Sequence, residues 1–134
     1  MQHFEHRLER RRHYVDMRGL QPFRQSPVGV RLLLEQAVAR VFDVETDLMR
    51  LPTRGRARVA LARQVAMYLA HVGCGLSLTE SGELFDRDRT TVAHACHVVE
   101  GRREDPGFDR AIELLERVIK VLAWSREASW QAYA

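Results

Sequence analysis

From Val28 onward the apolar residues of this chain return every three or four positions, and nowhere do they alternate. That period is the signature of helices burying one face. No β-branched alternating run and no Asn-Gly or Asp-Gly hairpin turn is present, so an all-α fold is expected. One stripe runs through Val30, Leu33, Leu34, Ala37, Val38 and Val41. A short turn of helix is expected within residues 43–49, closed by Leu51-Pro52. A second stripe, from about Arg58 to Val72, holds Val59, Ala62, Val65, Ala66 and Leu69, with Gly73 and Gly75 as its stop. A third uses Val92, Ala95, Cys96 and Val99 and is expected to stop at Gly101; a fourth uses Ile112, Leu115, Ile119 and Leu122. The chain of 134 residues suffices for one core without disulfides or a metal staple. Pro22 and Pro27 bracket a linker. The expected organisation is a basic extension over 1–26, one helical domain over 27–124 and a tail over 125–134. The extension carries Phe4, Leu8 and Val15 on one side and the block Arg10-Arg11-Arg12.

Local chemistry marks the helix starts in the middle of the chain. Ser77-Leu78-Thr79-Glu80 has capping-box spacing: the hydroxyl covers the amide at the third helical position, and Glu80 reaches back. The short helix it opens should end near Phe85, followed by the turn Asp86-Arg87-Asp88, with Asp88 as N-cap of the next helix. Asp105-Pro106 opens the last one, a cap residue followed by proline at the first helical position. A short helix, a three-residue turn and a longer helix form the spacing of a helix-turn-helix, whose second helix enters the DNA major groove by its N-terminal end. A capped, solvated helical hairpin has the same spacing, so the residues must decide.

Charge and residue type favour a polyanion. The net charge is +3, but residues 1–26 and 54–103 each carry +3 while the segments after them carry −1 and −2. Of the 21 basic residues only Lys120 is lysine. Arginine suits phosphate and guanine, although a GC-rich genome also produces that bias. At the start of the second helix stand Arg87, Asp88, Arg89, Thr90 and Thr91. Arginine pairs with guanine O6 and N7, aspartate accepts from cytosine N4, and the threonine methyl meets thymine.

Three segments then resemble a known family. Arg63-Gln64-Val65-Ala66-Met67-Tyr68-Leu69, Leu76 to Gly82, and Arg87-Asp88-Arg89-Thr90-Thr91-Val92-Ala93-His94-Ala95-Cys96 are similar to the C-terminal DNA-binding domain of the bacterial replication initiator DnaA, over roughly residues 28–122. The resemblance implies a compact helical domain of the Trp-repressor and DnaA C-terminal type, binding double-stranded DNA at DnaA-box sites. By that resemblance Asp88, Arg89 and Thr90 read bases, with Arg87 beside them. Gln64, Thr79, Thr91 and His94 lie against the backbone, and an arginine among Arg54, Arg56 and Arg58 enters the minor groove. Phosphate contacts would fix the register and groove contacts the sequence.

The chain departs from the family in three ways. Arg89 stands where the family usually has His, which shifts base preference, for example toward guanine. Phe85-Asp86-Arg87 replaces a usual Phe-Gly-Gly-Arg, so a glycine's backbone freedom is lost and Asp86 brings a negative charge. The loop arginines are out of step with the usual pattern. Gly-x-x-x-x-Gly-Lys-[Ser/Thr] is absent, so a regulator of transcription or replication initiation without ATPase activity is expected, in the bacterial cytoplasm at the nucleoid. A homodimer and a replication or transcription protein are the further partners considered. The competing reading is a protein-interaction module on a helix-turn-helix scaffold.

Other chemistries find little support. Among His71, Cys74, His94, Cys96 and His97 the last three stand one and two apart on one helix, where side chains do not face the same way, and no Cys-x-x-Cys pair completes a site, so no metal site is expected. No catalytic set and no cofactor motif is evident. The two cysteines form no framework and fit a reducing compartment. No apolar run reaches the roughly 18 residues of a membrane span.

Overall fold

A computed structural model describes residues 27–50 and 57–133, and every regular element among them is helical. In order they are α1 (Pro27–Phe42), α2 (Thr46–Met49), α3 (Ala57–Tyr68), a π-helical turn (Leu69–Gly73), α4 (Leu78–Phe85), α5 (Arg89–Arg102) and α6 (Pro106–Tyr133). The all-α expectation, with a helix-turn-helix at α4 and α5, is met. No helix among the described residues is long and apolar enough to cross a membrane.

α3 is the hub, packed against α1, α2, α4 and α5. Its inward side chains Val59, Ala62, Val65, Ala66 and the adjoining Leu69 are all buried, as their spacing requires. Val30, Leu34 and Val38 of α1, Val92, Ala95, Cys96 and Val99 of α5, and Ile112, Leu115 and Ile119 of α6 complete one core. Val41 is a correction: it faces solvent. Phe42 takes the core position at the end of α1, its ring 5.9 Å from that of Phe108.

The helix ends follow local chemistry with two surprises. The chain leaves α3 through the π turn, where the Cys74 amide donates to the Leu69 carbonyl five residues back at 2.8 Å. Gly75 then turns the backbone with φ 73°. The second surprise is Gly101, which does not stop α5; the helix continues to Arg102. The Arg103 amide still donates to the Val99 and Glu100 carbonyls, while its side chain is drawn inside. α6 starts as predicted, the Phe108 amide donating to Asp105 Oδ2 at 2.9 Å. With neither Gly nor Pro after Gly107, it continues through 125–133.

Charged residues also sit inside. Arg103 is wholly buried, its Nε donating to Asp109 Oδ1 at 2.5 Å and its Nη1 to Glu116 and to the Tyr68 hydroxyl. Tyr68 in turn donates to Glu100 Oε2 at 2.8 Å. Burial pushes the Tyr68 phenol far above its ordinary value, so it stays a donor. This network joins α3, α5 and α6 beneath the second helix of the motif. Both cysteines are buried and neither is in a disulfide, and burial pushes Cys74 up to about 12.

Candidate nucleic-acid interface

The motif begins with the capping box, formed in full. The Glu80 amide donates to Ser77 Oγ and the Ser77 amide to Glu80 Oε1, each at 3.0 Å. The Ser77 amide, then its hydroxyl, hold the Glu80 carboxyl below its ordinary value. A depressed carboxyl contributes stability that is present above its unfolded value and lost as pH falls through its folded one. Ser77→Ala should therefore cost roughly 0.5–2 kcal/mol at neutral pH. The gap to the parent should narrow below about pH 4. Thermal unfolding followed by circular dichroism at pH 7 and pH 3 checks this; a gap independent of pH would exclude any contribution of the Ser77 hydroxyl to the Glu80 carboxylate.

Between the two helices the turn is held tightly. The Arg87 amide donates to the Gly82 carbonyl at 2.8 Å. A Cβ on Gly82 would run into the Arg87 carbonyl, so only glycine permits this approach. Asp86 caps α4 in the left-handed region, φ 55° and ψ 46°, which aspartate tolerates better than most side chains. The charge expected of Asp86 is answered from elsewhere: Arg31 of α1 lies 3.3 Å from its Oδ2. Asp88 has the extended backbone of an N-cap, and its carbonyl accepts from the Val92 amide, but its carboxylate makes no capping bond.

α4, the turn and the start of α5 enclose a concave surface of about 670 Å³. Thr79, Arg87, Asp88, Arg89 and Thr91 line it together, with Gly82, Glu83 and Asp86 beside them. Five of the residues singled out in the sequence thus meet on one face. Thr90 and His94 are exposed along α5 but do not line that concavity, and Gln64 is half-buried on α3. Arg58 is exposed in the first turn of α3, its Nη1 donating to the Asp43 carbonyl at 3.5 Å, a long contact. Arg54, Arg56 and the extension 1–26 lie outside the described residues.

Arg63 received no role from sequence reasoning. It is held below the ordinary arginine range by partial burial and by the positive charge of Arg87. The available signal was its place beside Gln64, at the head of a segment already singled out. The histidines and cysteines do not converge: His71 is buried and shares a hydrogen bond of 2.7 Å between Nδ1 and the Leu76 carbonyl, whereas His94 and His97 are exposed on α5. Among the described residues no three His, Cys, Asp or Glu side chains group as metal ligands.

A capped short helix, a tight turn and an arginine-led second helix on a helical core define a helix-turn-helix protein of the DNA-binding kind. Residues 33–99 match the family model described as the bacterial DnaA protein helix-turn-helix. The chain belongs to that family. It is similar to the chromosomal replication initiator protein DnaA of Rhodopseudomonas palustris, 41% identical over 100 residues, 72% of this chain and 21% of that protein. The initiator of Symbiobacterium thermophilum is 38% identical over 98 residues, again 72% and 21%. That of Bacteroides fragilis is 39% identical over 85 residues, 62% and 18%. The chain thus spans about a fifth of the length of these relatives.

Proposed function

We propose that this chain binds double-stranded DNA site-specifically at DnaA-box-like sequences and acts, without enzymatic activity of its own, as a regulator of transcription or replication initiation. The carrying observation is the single concave face on which Arg87, Asp88, Arg89, Thr79 and Thr91 meet at the start of the second helix, in a chain of the DnaA helix-turn-helix family. Arg87, Asp88, Arg89 and Thr90 choose bases. Thr79, Thr91, His94 and Gln64 hold phosphates, with Arg63 beside them. One arginine among Arg54, Arg56 and Arg58 supplies the minor-groove contact. The site of action is the bacterial cytoplasm at the nucleoid, and ATP-driven assembly is no part of this activity.

Fluorescence anisotropy with a DnaA-box duplex and a scrambled duplex, at two salt concentrations, tests the reading. Salt-sensitive binding that prefers the box is the expected result. Arg89→Ala should lose roughly 1–3 kcal/mol concentrated at one base position. A loss equal across all sequences would reduce Arg89 to a phosphate contact. Absence of binding to either duplex would remove the DNA reading.

A protein-interaction role has one observation in its favour. Leu114 and Val121, 52% and 60% exposed, stand with Val118 along α6, beyond the residues matched to the family. The occupant we assign to that stripe is a second copy of this chain, with Glu113 and Lys120, opposite in charge and both exposed, flanking it for antiparallel pairing. Sedimentation at rising concentration reads this directly: a mass fixed at one chain rejects the homodimer, leaving a replication or transcription protein as the alternative partner.

A further inference from the structure

Arg31 belongs to α1, outside both helices of the motif, yet its guanidinium touches three consecutive residues where the first of those helices ends. Nη1 donates to the Leu84 carbonyl at 3.4 Å and to Asp86 Oδ2 at 3.3 Å. The guanidinium carbon lies 5.6 Å from the centroid of the Phe85 ring. On its other side Nε is 3.3 Å from Glu35 Oε1. Glu35 is also met by Arg50, whose Nε and Nη2 donate to its two oxygens at 3.4 Å each. Charges alternate along this row, Asp86, Arg31, Glu35, Arg50, and their sum is zero.

The two ends of the row differ in surroundings. The Glu35 side chain is 2% exposed and belongs to the scaffold. The Asp86 side chain is 88% exposed and lines the concave surface with Arg87 and Arg89. There, within a Debye length of about 8 Å, its charge would act on any phosphate the neighbouring arginines held. We propose that Arg31 is a positioning residue of the DNA-reading face: it neutralises Asp86 and ties the turn to α1, so that a carboxylate can occupy the turn without repelling the DNA backbone. The proposal rests on the DNA-binding reading above.

Stability is not the main consequence. An ion pair as exposed as Arg31–Asp86 contributes at most about 1 kcal/mol to folding. Binding to a polyanion is another matter, because each net charge on the interface enters the affinity and its salt dependence. The cation also sits at the C-terminal end of α4, where the last carbonyls are negative and one of them, that of Leu84, accepts from it. One guanidinium therefore serves the helix end and the turn together.

A double-mutant cycle separates this role from packing and from direct phosphate contact. Arg31→Met keeps an unbranched apolar stem and removes the charge. It should weaken binding about 3- to 10-fold at low salt, equally for the box and the scrambled duplex, and make the log–log salt slope shallower by about one. Asp86→Asn should change parent affinity less than about twofold, since that charge is already answered. In the Arg31→Met background the same change should restore most of the loss. Thermal midpoints of all four proteins confirm that each is folded at the assay temperature. Equal effects of Asp86→Asn in both backgrounds, or parent-like binding by Arg31→Met, overturn the proposal. Failure of the parent itself to bind either duplex overturns the DNA reading and this inference together; parent binding without the coupling overturns this inference alone.

Discussion

Arg103→Met should destabilise the domain by about 3–5 kcal/mol, the cost of removing one partner from a buried ion pair. Arg103 is 0% exposed, its guanidinium meets Asp109 and Glu116, and the Tyr68 hydroxyl bridges it to Glu100. Methionine restores much of the stem's packing, so the predicted loss is electrostatic: Glu116, 6% exposed, keeps its burial and loses its ion pair with Arg103. Arg103→Lys should not rescue fully, because a single ammonium cannot replace the planar fork whose Nε meets Asp109 while its Nη1 meets Glu116 and Tyr68. Urea unfolding gives the number, with an unchanged slope required for a two-state comparison. Adding Glu116→Gln should return part of the loss, since it removes a stranded charge. An Arg103→Met protein within about 1 kcal/mol of the parent would mean that the carboxylates find water or protons at no cost.

That network also shows where sequence reasoning stops. Periodicity assigns charged residues to solvent, and by that rule Glu35, Glu100, Arg103 and Glu116 belong outside. Tyr68, which links two of them, is distant in sequence, 32 residues from Glu100 and 35 from Arg103. Nothing local announces such contacts. The same network explains why Gly101 was an unreliable stop. An exposed glycine permits a helix to end, but the helix runs one residue further to Arg102, with Arg103, drawn inward, as its cap. Val41 was misplaced for a related reason: at a helix end one residue of rotation decides which apolar side chain meets the core, and Phe42 wins through its contact with Phe108. The π turn after Tyr68 has no sequence signal here beyond Gly73 and Gly75, a pair that equally marks a simple helix stop.

What was legible was local or carried by a string of matched residues. The Ser77–Glu80 capping box and the Asp105-Pro106 start depend on side chains reaching amides three residues away, so spacing alone predicts them. The concave face collects Thr79, Arg87, Asp88, Arg89 and Thr91 because a three-residue turn sets the two helices at a fixed angle once the turn closes. Asp86 looked like a liability in sequence, a charge where glycine is usual. Its partner Arg31 lies 55 residues earlier, beyond the reach of any local pattern.

Closure of that turn depends on Gly82, and Gly82→Ala should cost about 3 kcal/mol, the upper end of what overpacking usually does. The added Cβ would overlap the Arg87 carbonyl, with the Arg89 nitrogen and Asp88 carbon next at 3.4 Å. All three are backbone atoms of the turn and the helix start, so no side-chain rotation relieves the clash. α4 and the turn must separate, stretching the 2.8 Å bond from the Arg87 amide to the Gly82 carbonyl. Arg87, Asp88 and Arg89 move with it, and losing even one bidentate base contact, worth about 1–3 kcal/mol, means roughly tenfold weaker binding to the preferred duplex. Gly101→Ala is the matched control. It lies in α5 with nothing within 4 Å of an added Cβ, so alanine should be neutral or stabilising by up to about 1 kcal/mol. Thermal unfolding and anisotropy on the two variants read both effects. If the two alanines left stability and affinity alike, the turn would open more readily than the close approach of the Arg87 carbonyl implies, and the arginines would not depend on it for their placement. If Gly82→Ala lost affinity while Gly101→Ala did not, the spacing of the turn would be a determinant of recognition in its own right, independent of which bases Arg87 and Arg89 prefer.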